Sequence, residues 1–130
     1  AQAAMLYSQF QSNYRELPLV HCEANQLKQV FINLLKNAIE AMPGGGTIDV
    51  STEPFFDNHI LISIQDHGIG IPKSVLKKLG EPFYTTKEKG TGLGLMVTYK
   101  IIEEHEGWIE VTSKEGEGTL FQIYLPIFHE

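Results

Sequence analysis

The sequence is poor in the features that mark secreted, membrane-spanning and nucleic-acid-binding chains. Its one cysteine, Cys22, excludes an internal disulfide framework and fits a reducing compartment. That residue reads as a small side chain packed near a strand end. Apolar runs such as Val30 to Leu35 fall far short of the roughly 20 residues that span a bilayer. No basic stretch feeding an apolar run opens the chain, so no signal peptide is expected. Ala rather than Met at position 1 points to an excised piece. Positive charge is short as well: 10 Lys and Arg stand against 16 Asp and Glu, a formal net charge of −6. That balance leaves out the basic face that general nucleic-acid binding requires. A nucleotide can still be held where backbone N–H groups, a metal ion and one or two Lys meet its phosphates. Two phosphate-binding signatures are missing too. No G-x-x-x-x-G-K-[ST] occurs, and Gly90, Gly92 and Gly94 neither have the G-x-G-x-x-G spacing nor directly follow a strand.

What remains is an ordinary globular composition, 42% hydrophobic and 20% charged, in 130 residues that suffice for one domain spanning 1–130. Met5 to Phe10 is expected as a strand and Leu17 to His21 as a short extended piece. Leu27, Phe31, Leu34, Ala38, Ala41 and Met42 recur at helical spacing, predicting a helix over Ala24 to Met42 that Pro43 and Gly44 to Gly46 end. Thr47 to Glu53 and His59 to Gln65 read as strands joined by a turn around Asp57 and Asn58. In the second, Ile60, Ile62 and Ile64 make one face purely apolar. Pro72 suits the first turn of a short helix running to Leu79. Gly80 to Gly94 has loop composition and is long for a compact domain, which makes it a candidate lid. Leu95 to Glu106 is the second long helix, and Trp108 to Ser113 and Thr119 to Pro126 are the closing strands. These elements predict an α+β fold: a two-layer α/β sandwich with a mixed, mostly antiparallel sheet of about five strands, covered on one face by about three helices.

Four kinds of residue could carry chemistry. Asn33 and Asn37 stand four apart and share a helix face beside the apolar stripe. An amide oxygen there can ligate Mg²⁺, although two polar residues on a helix border need no ligand. Asp66 follows the Ile-rich strand directly and precedes Gly68 and Gly70. A carboxylate so placed can accept a hydrogen bond from an exocyclic amine such as adenine N6, and the glycines let the base approach without Cβ clashes. An Asp-x-Gly turn is the plainer alternative. His67, beside it, reads as a solvent-facing turn residue. Gly90, Gly92 and Gly94 immediately precede a helix, an arrangement that offers N–H groups to phosphates or simply a flexible loop. Lys87 and Lys89 sit where a cation could reach those phosphates or remain solvated.

In order along the chain, Asn33-Leu34-Leu35-Lys36-Asn37-Ala38, Asp66-His67-Gly68-Ile69-Gly70-Ile71, Gly90-Thr91-Gly92-Leu93-Gly94-Leu95 and Gly116-Glu117-Gly118-Thr119 resemble the N, G1, G2 and G3 boxes of one superfamily of ATP-binding domains, that of histidine kinases, gyrase, HSP90 and MutL. Glu81-Pro82-Phe83-Tyr84-Thr85-Thr86-Lys87 resembles the F box of histidine kinases. The resemblance runs from about Leu17 to Pro126. It implies a Bergerat-type fold that binds ATP and Mg²⁺, with Asn37 as the metal ligand. Asp66 would read adenine, with Gly68, Gly70 and Ile71 lining the pocket and the Thr119 hydroxyl joining the adenine network. Phe83 and Thr86 belong to the lid, while Lys87, Gly90, Thr91, Gly92, Leu93, Gly94 and Leu95 would surround the phosphates.

Asn33 holds the position where gyrase-type ATPases carry a Glu general base. An amide cannot take a proton, which predicts slow spontaneous hydrolysis and points with the F box to a sensor histidine kinase. Many such kinases carry a Lys-Tyr pair where this chain has Glu40-Ala41, so those contacts are absent or supplied elsewhere, Lys36 being the nearest candidate. The run Asn33 to Met42, with Thr85-Thr86-Lys87, looks closest to the sporulation-type subgroup of Gram-positive bacteria. The implied reaction passes the γ-phosphoryl group of ATP to a His on a separate dimerisation domain, with Asn33, Asn37 and Lys87 as the catalytic set. None of the five histidines stands in a phosphoacceptor context, and His105 reads as a helix C-terminal residue. Residues 1–16 are then a remnant of the connection to that domain. The implied partners are that domain and a downstream response regulator, with no nucleic acid and no direct membrane contact. The domain is expected in the cytoplasm, whether or not its parent is membrane-anchored. A gyrase- or HSP90-type ATPase, a Ser/Thr kinase of the anti-sigma type, and a nucleotide-binding or partner-docking module without turnover stay open as alternatives.

Overall fold

The computed structural model describes residues 10–13, 24–56, 58–79 and 92–126. In chain order these form β1 (Phe10–Asn13), α1 (Ala24–Glu40), β2 (Ile48–Phe55), β3 (His59–Gln65), α2 (Lys73–Leu76), α3 (Gly92–Glu104), β4 (Trp108–Lys114) and β5 (Gly118–Pro126). The strands join in one five-stranded sheet of order β1-β2-β3-β5-β4. β1 runs parallel to β2, beginning with Phe10 opposite Ile48, and every other pairing is antiparallel. This is the expected mixed, mostly antiparallel sheet. The forecast strand Met5 to Phe10 falls outside the described residues except at its last position. Leu17 to His21, Cys22 and most of the forecast lid lie outside them altogether.

Alternation along each strand sends Ile48, Ile60, Ile62, Ile64, Phe121, Ile123 and Leu125 to one side of the sheet, where they form the core with α1 and α3. Along α1 and the turn that follows it, Val30, Leu34, Ala38 and Met42 repeat every four residues and are all buried, Val30 and Leu34 completely. Lys28, Gln29, Lys36 and Glu40 occupy its exposed side. Ile101 and Ile102 bring α3 onto the same core. Because Leu34 has no exposed surface, Leu34→Ala should lower the unfolding free energy by about 2–5 kcal/mol, read as a shifted urea midpoint at unchanged slope.

The opposite face of the sheet is also apolar at one end. Leu61 is buried there opposite Tyr124, and the Trp108 ring stacks on Tyr124 with centroids 4.7 Å apart and planes at 9°. Phe55 closes on the other side of Tyr124, edge to face at 4.7 Å.

All three helices differ in extent from the sequence expectation. α1 gives way to a tighter turn after Glu40, where the Met42 N–H donates to the Ile39 carbonyl at 3.1 Å. α2 is a single turn, Lys73–Leu76, rather than a helix to Leu79. α3 starts three residues early, at Gly92, and ends in a Schellman arrangement. There the Gly107 N–H reaches the Ile102 carbonyl at 2.9 Å and the Glu106 N–H reaches Glu103 at 2.9 Å. Glu106, not a glycine, takes the left-handed conformation at φ 63°. His105, in the cap, donates from Nδ1 to the Ile101 carbonyl at 2.8 Å, so it is the helix C-terminal residue expected.

Candidate functional site

Asp66 continues the alternation of β3 by one residue and therefore faces the helix layer, where it is 4% exposed. Its backbone N–H donates to the Thr119 carbonyl at 2.9 Å. Its Oδ1 accepts two backbone N–H groups, from Gly68 at 2.9 Å and from Thr119 at 3.1 Å. From the far side of the sheet, Gln65 Nε2 clamps the carbonyls of Asp66 at 2.6 Å and of Thr119 at 3.2 Å. Burial pushes the Asp66 carboxyl above the usual carboxylate range. The two N–H bonds and the neighbouring His67 pull the other way without cancelling it. Both donors converge on Oδ1, and no donor among the described residues bonds Oδ2. Among the described residues, then, backbone holds one carboxylate oxygen and the other is open to a further donor.

The glycines around Asp66 have a physical reason other than the one expected. A Cβ on Gly68 would strike the Ala41 carbonyl, one on Gly70 the Lys114 carbonyl, and one on Gly118 the Asp66 carbonyl. Neighbouring backbone occupies the place where each Cβ would stand. Residues 66–71 are laced between the end of α1 and the β4–β5 turn by Ile69 N–H to Ala41 O at 3.1 Å and Gly116 N–H to Ile69 O at 2.8 Å. Ile71, half-buried, donates its N–H to Ser113 Oγ at 2.7 Å. Ser113 Oγ in turn donates to Gly118 O at 2.9 Å and lies 2.8 Å from Thr119 Oγ1. Thr119 is 4% exposed. His67 is exposed as expected, and its Nε2 lies 2.9 Å from Asp49 Oδ2.

Asn33 sits where α1 meets α3. Its Nδ2 donates to Oγ1 of the fully buried Thr98 at 3.2 Å, and its Oδ1 accepts from Gln29 Nε2 at 2.8 Å. The bond ties α1 to the helix that opens with Gly92 and Gly94. Asn37, half-buried, lies one turn further along, and Ala41 one turn beyond that touches Gly68. Asn37 is therefore connected to Asp66 through one helical turn and one glycine contact. Among the described residues no group of three His, Cys, Asp or Glu could hold a metal. The Asn37 amide oxygen is a hard donor suited to Mg²⁺, which takes one or two protein ligands and completes its shell with waters and phosphate oxygens.

Of the predicted site residues, Asn37, Asp66, Gly68, Gly70, Ile71 and Thr119 are brought into one connected region. Asn33 lies on its α3 side. Lys36 is exposed on α1, and Leu95 packs against the core. Gly92, Leu93 and Gly94 form the first turn of α3. Phe83, Thr86, Lys87, Gly90 and Thr91 lie outside the described residues, as does Lys89. Three polar residues central to this geometry escaped the sequence reading: Gln65, Thr98 and Ser113. For Ser113 a signal existed, because closing the β4–β5 hairpin on Glu115 to Glu117 sets it directly opposite Thr119.

A helix layer on one face of a mixed sheet, with a buried carboxylate cradled at the end of an inner strand, defines a class of nucleotide-binding fold. Residues 22–129 match the profile of the histidine kinase-, DNA gyrase B- and HSP90-like ATPase family, and the chain belongs to that family. It is 63% identical over 112 residues to Sporulation kinase E of Bacillus subtilis (strain 168), covering 86% of this chain and 15% of that protein. It is 56% identical over 108 residues to Sporulation kinase A of the same organism, covering 82% and 18%. The catalytic domain of the histidine kinase ThkA superposes with a TM-score of 0.79 at 33% identity, over 96% of this chain and 88% of that one. The chain thus spans between 15% and 28% of the length of the first sporulation kinases it matches. No helix among the described residues is long and apolar enough to cross a membrane.

Proposed function

We propose that this chain is the catalytic, ATP-binding domain of a two-component sensor histidine kinase of the sporulation type, acting in the cytoplasm. It binds Mg-ATP and presents the γ-phosphoryl group to a His on a dimerisation domain, from which a response regulator is phosphorylated. The observation that carries this reading is the Asp66 cradle. One oxygen accepts from Gly68 and Thr119, and the other, which no described donor reaches, would accept from an amine such as adenine N6. Asn37 is the residue that would hold Mg²⁺, which when bound neutralises charge between the phosphates. This chain's part is positioning. Asp66 orients the base, the first turn of α3 supplies backbone N–H groups that lack intrahelical partners, and the Asn33–Thr98 bond holds α3 against α1. Lys87 meets the γ-phosphoryl charge. Asn33 speaks against a gyrase-type ATPase, because its amide is engaged by Gln29 and Thr98 and cannot accept a proton from water.

Calorimetric titration with a non-hydrolysable ATP analogue, with and without Mg²⁺, tests the pocket. Micromolar, Mg²⁺-sensitive binding is expected, followed by phospho-His formation once a cognate dimerisation domain is added. Absence of heat and of any thermal shift would remove the kinase reading in favour of a docking module. Within that assay Asn37→Ala should abolish most of the Mg²⁺ dependence. Asn33→Ala should chiefly lower stability, by about 1 kcal/mol for a lost part-buried hydrogen bond. Equal effects on Mg²⁺ dependence would displace the metal assignment from Asn37.

A further inference from the structure

We propose that Ser113 is a specificity-determining residue, which forces the Thr119 hydroxyl to act only as a hydrogen-bond acceptor and so makes the pocket select a 6-amino purine over a 6-oxo purine. The inference rests on the reading that Asp66 faces the base. It concerns a residue on β4 that lies outside all the glycine-rich segments.

Proton counting around Ser113 Oγ carries the argument. Three groups lie within hydrogen-bond distance: Ile71 N–H at 2.7 Å, the Gly118 carbonyl at 2.9 Å and Thr119 Oγ1 at 2.8 Å. The first can only donate and the second can only accept. Ser113 has a single hydroxyl hydrogen and two lone pairs. The one assignment in which all three close contacts are hydrogen bonds sends that hydrogen to Gly118 O. One lone pair then takes Ile71 N–H, and the other takes the hydrogen of Thr119. Thr119 has then spent its only hydrogen and keeps only lone pairs. It is buried, and its backbone N–H is already bonded to Asp66 Oδ1, so carboxylate and hydroxyl belong to one rigid unit. Such a unit offers acceptors only. An exocyclic amine has two hydrogens to give it, while a 6-oxo group brings lone pairs against lone pairs. Remove the Ser113 hydroxyl and the Thr119 hydrogen is free to turn outward and donate to a 6-oxo oxygen.

The test is competitive displacement of a fluorescent ATP analogue by ADP and by inosine 5′-diphosphate, on the full chain. The wild type should prefer ADP. In Ser113→Ala the ADP-to-IDP preference should fall by about tenfold, mainly through tighter IDP binding, the scale of one mismatched contact replaced by a hydrogen bond. Ser113→Thr restores the hydroxyl and should restore the preference. Adding Thr119→Val to Ser113→Ala should erase the gain in IDP binding, a result that loss of packing alone would not produce. Ser113→Cys, of similar volume and with a weaker donor, gives the same comparison should the alanine variant fail to fold. An unchanged preference in Ser113→Ala or Ser113→Cys, with ADP still bound, overturns the role of Ser113 and leaves the adenine reading standing. A wild type that binds ADP and IDP equally overturns both.

Discussion

Asp66→Asn should cost the domain its affinity for adenine nucleotides while making the nucleotide-free protein more stable at neutral pH. The two halves of that result have separate causes. Asp66 Oδ1 accepts the N–H groups of Gly68 and Thr119, and an asparagine oxygen can accept both, so the cradle survives the substitution. What changes is the other atom, where an acceptor becomes an NH₂ donor that, on the proposed reading, would face the donor of adenine. A buried mismatch of that kind should weaken ATP binding at least about 100-fold and narrow the discrimination against GTP, whose 6-oxo group now meets a donor. The stability gain follows from linkage. Burial raises the Asp66 carboxyl in the folded state, so the folded protein binds that proton more tightly than the unfolded chain does. Ionisation of Asp66 therefore subtracts stability above its folded-state value. The penalty fades as pH falls through that value towards the ordinary carboxylate range. The variant should accordingly be more stable than the wild type at pH 7, with the difference closing on acidification, as urea titrations across pH would show. ATP affinity of the wild type should decline over the same acid window as the accepting carboxylate is protonated. A variant destabilised at every pH would mean that the cradle requires the charge itself.

The parts of this site that could be read from the sequence are those that repeat or that bend the chain in a fixed place. The stripe Val30, Leu34, Ala38 and Met42 and the face Ile60, Ile62 and Ile64 follow from periodicity, and they place α1 and β3, with the candidate residue Asn37 in the last turn of one and Asp66 just past the other. Asp66 was legible because it stands at the junction of such a face with a glycine pair. The start of α3 was not. Gly92 and Gly94 are poor helix formers, about 1 kcal/mol each against Ala in a helix interior, and composition reads them as loop. In the first turn the N–H groups have no intrahelical partner to lose, and the part-buried Asn33–Thr98 bond anchors the helix further along, so tertiary context decides. Gln65, Thr98 and Ser113 were silent for a related reason. Each acts through a partner on another element, Ser113 through a residue directly across the hairpin. Single-residue patterns contain no term for that.

Alanine substitution at three glycines should give three distinct stability losses, and the largest should fall on the turn that carries the pocket. Gly44 is exposed, with nothing within 4 Å of an added Cβ and an ordinary backbone conformation, so Gly44→Ala should be neutral or stabilising by up to about 1 kcal/mol. Gly116 also has open space around it but sits at φ +81°, so Gly116→Ala should show left-handed strain alone, about 1 kcal/mol. Gly70 combines φ +74° with a Cβ position already occupied by the Lys114 carbonyl. The clash is with backbone in a paired strand and cannot be relieved by a rotamer change. Residues 66–71 must then move away from the β4–β5 turn, breaking Gly116 N–H to Ile69 O at 2.8 Å and pulling Ile71 N–H from Ser113. Gly70→Ala should therefore cost about 3 kcal/mol or more, a fall in Tm of roughly 10 °C for a domain of this size. Nucleotide affinity should fall with it, because Asp66 and Thr119 are positioned by the same segment. If Gly116→Ala and Gly70→Ala were equally destabilising, backbone conformation alone would explain both glycines. The close approach of the 66–71 turn to β4 would then have no energetic weight.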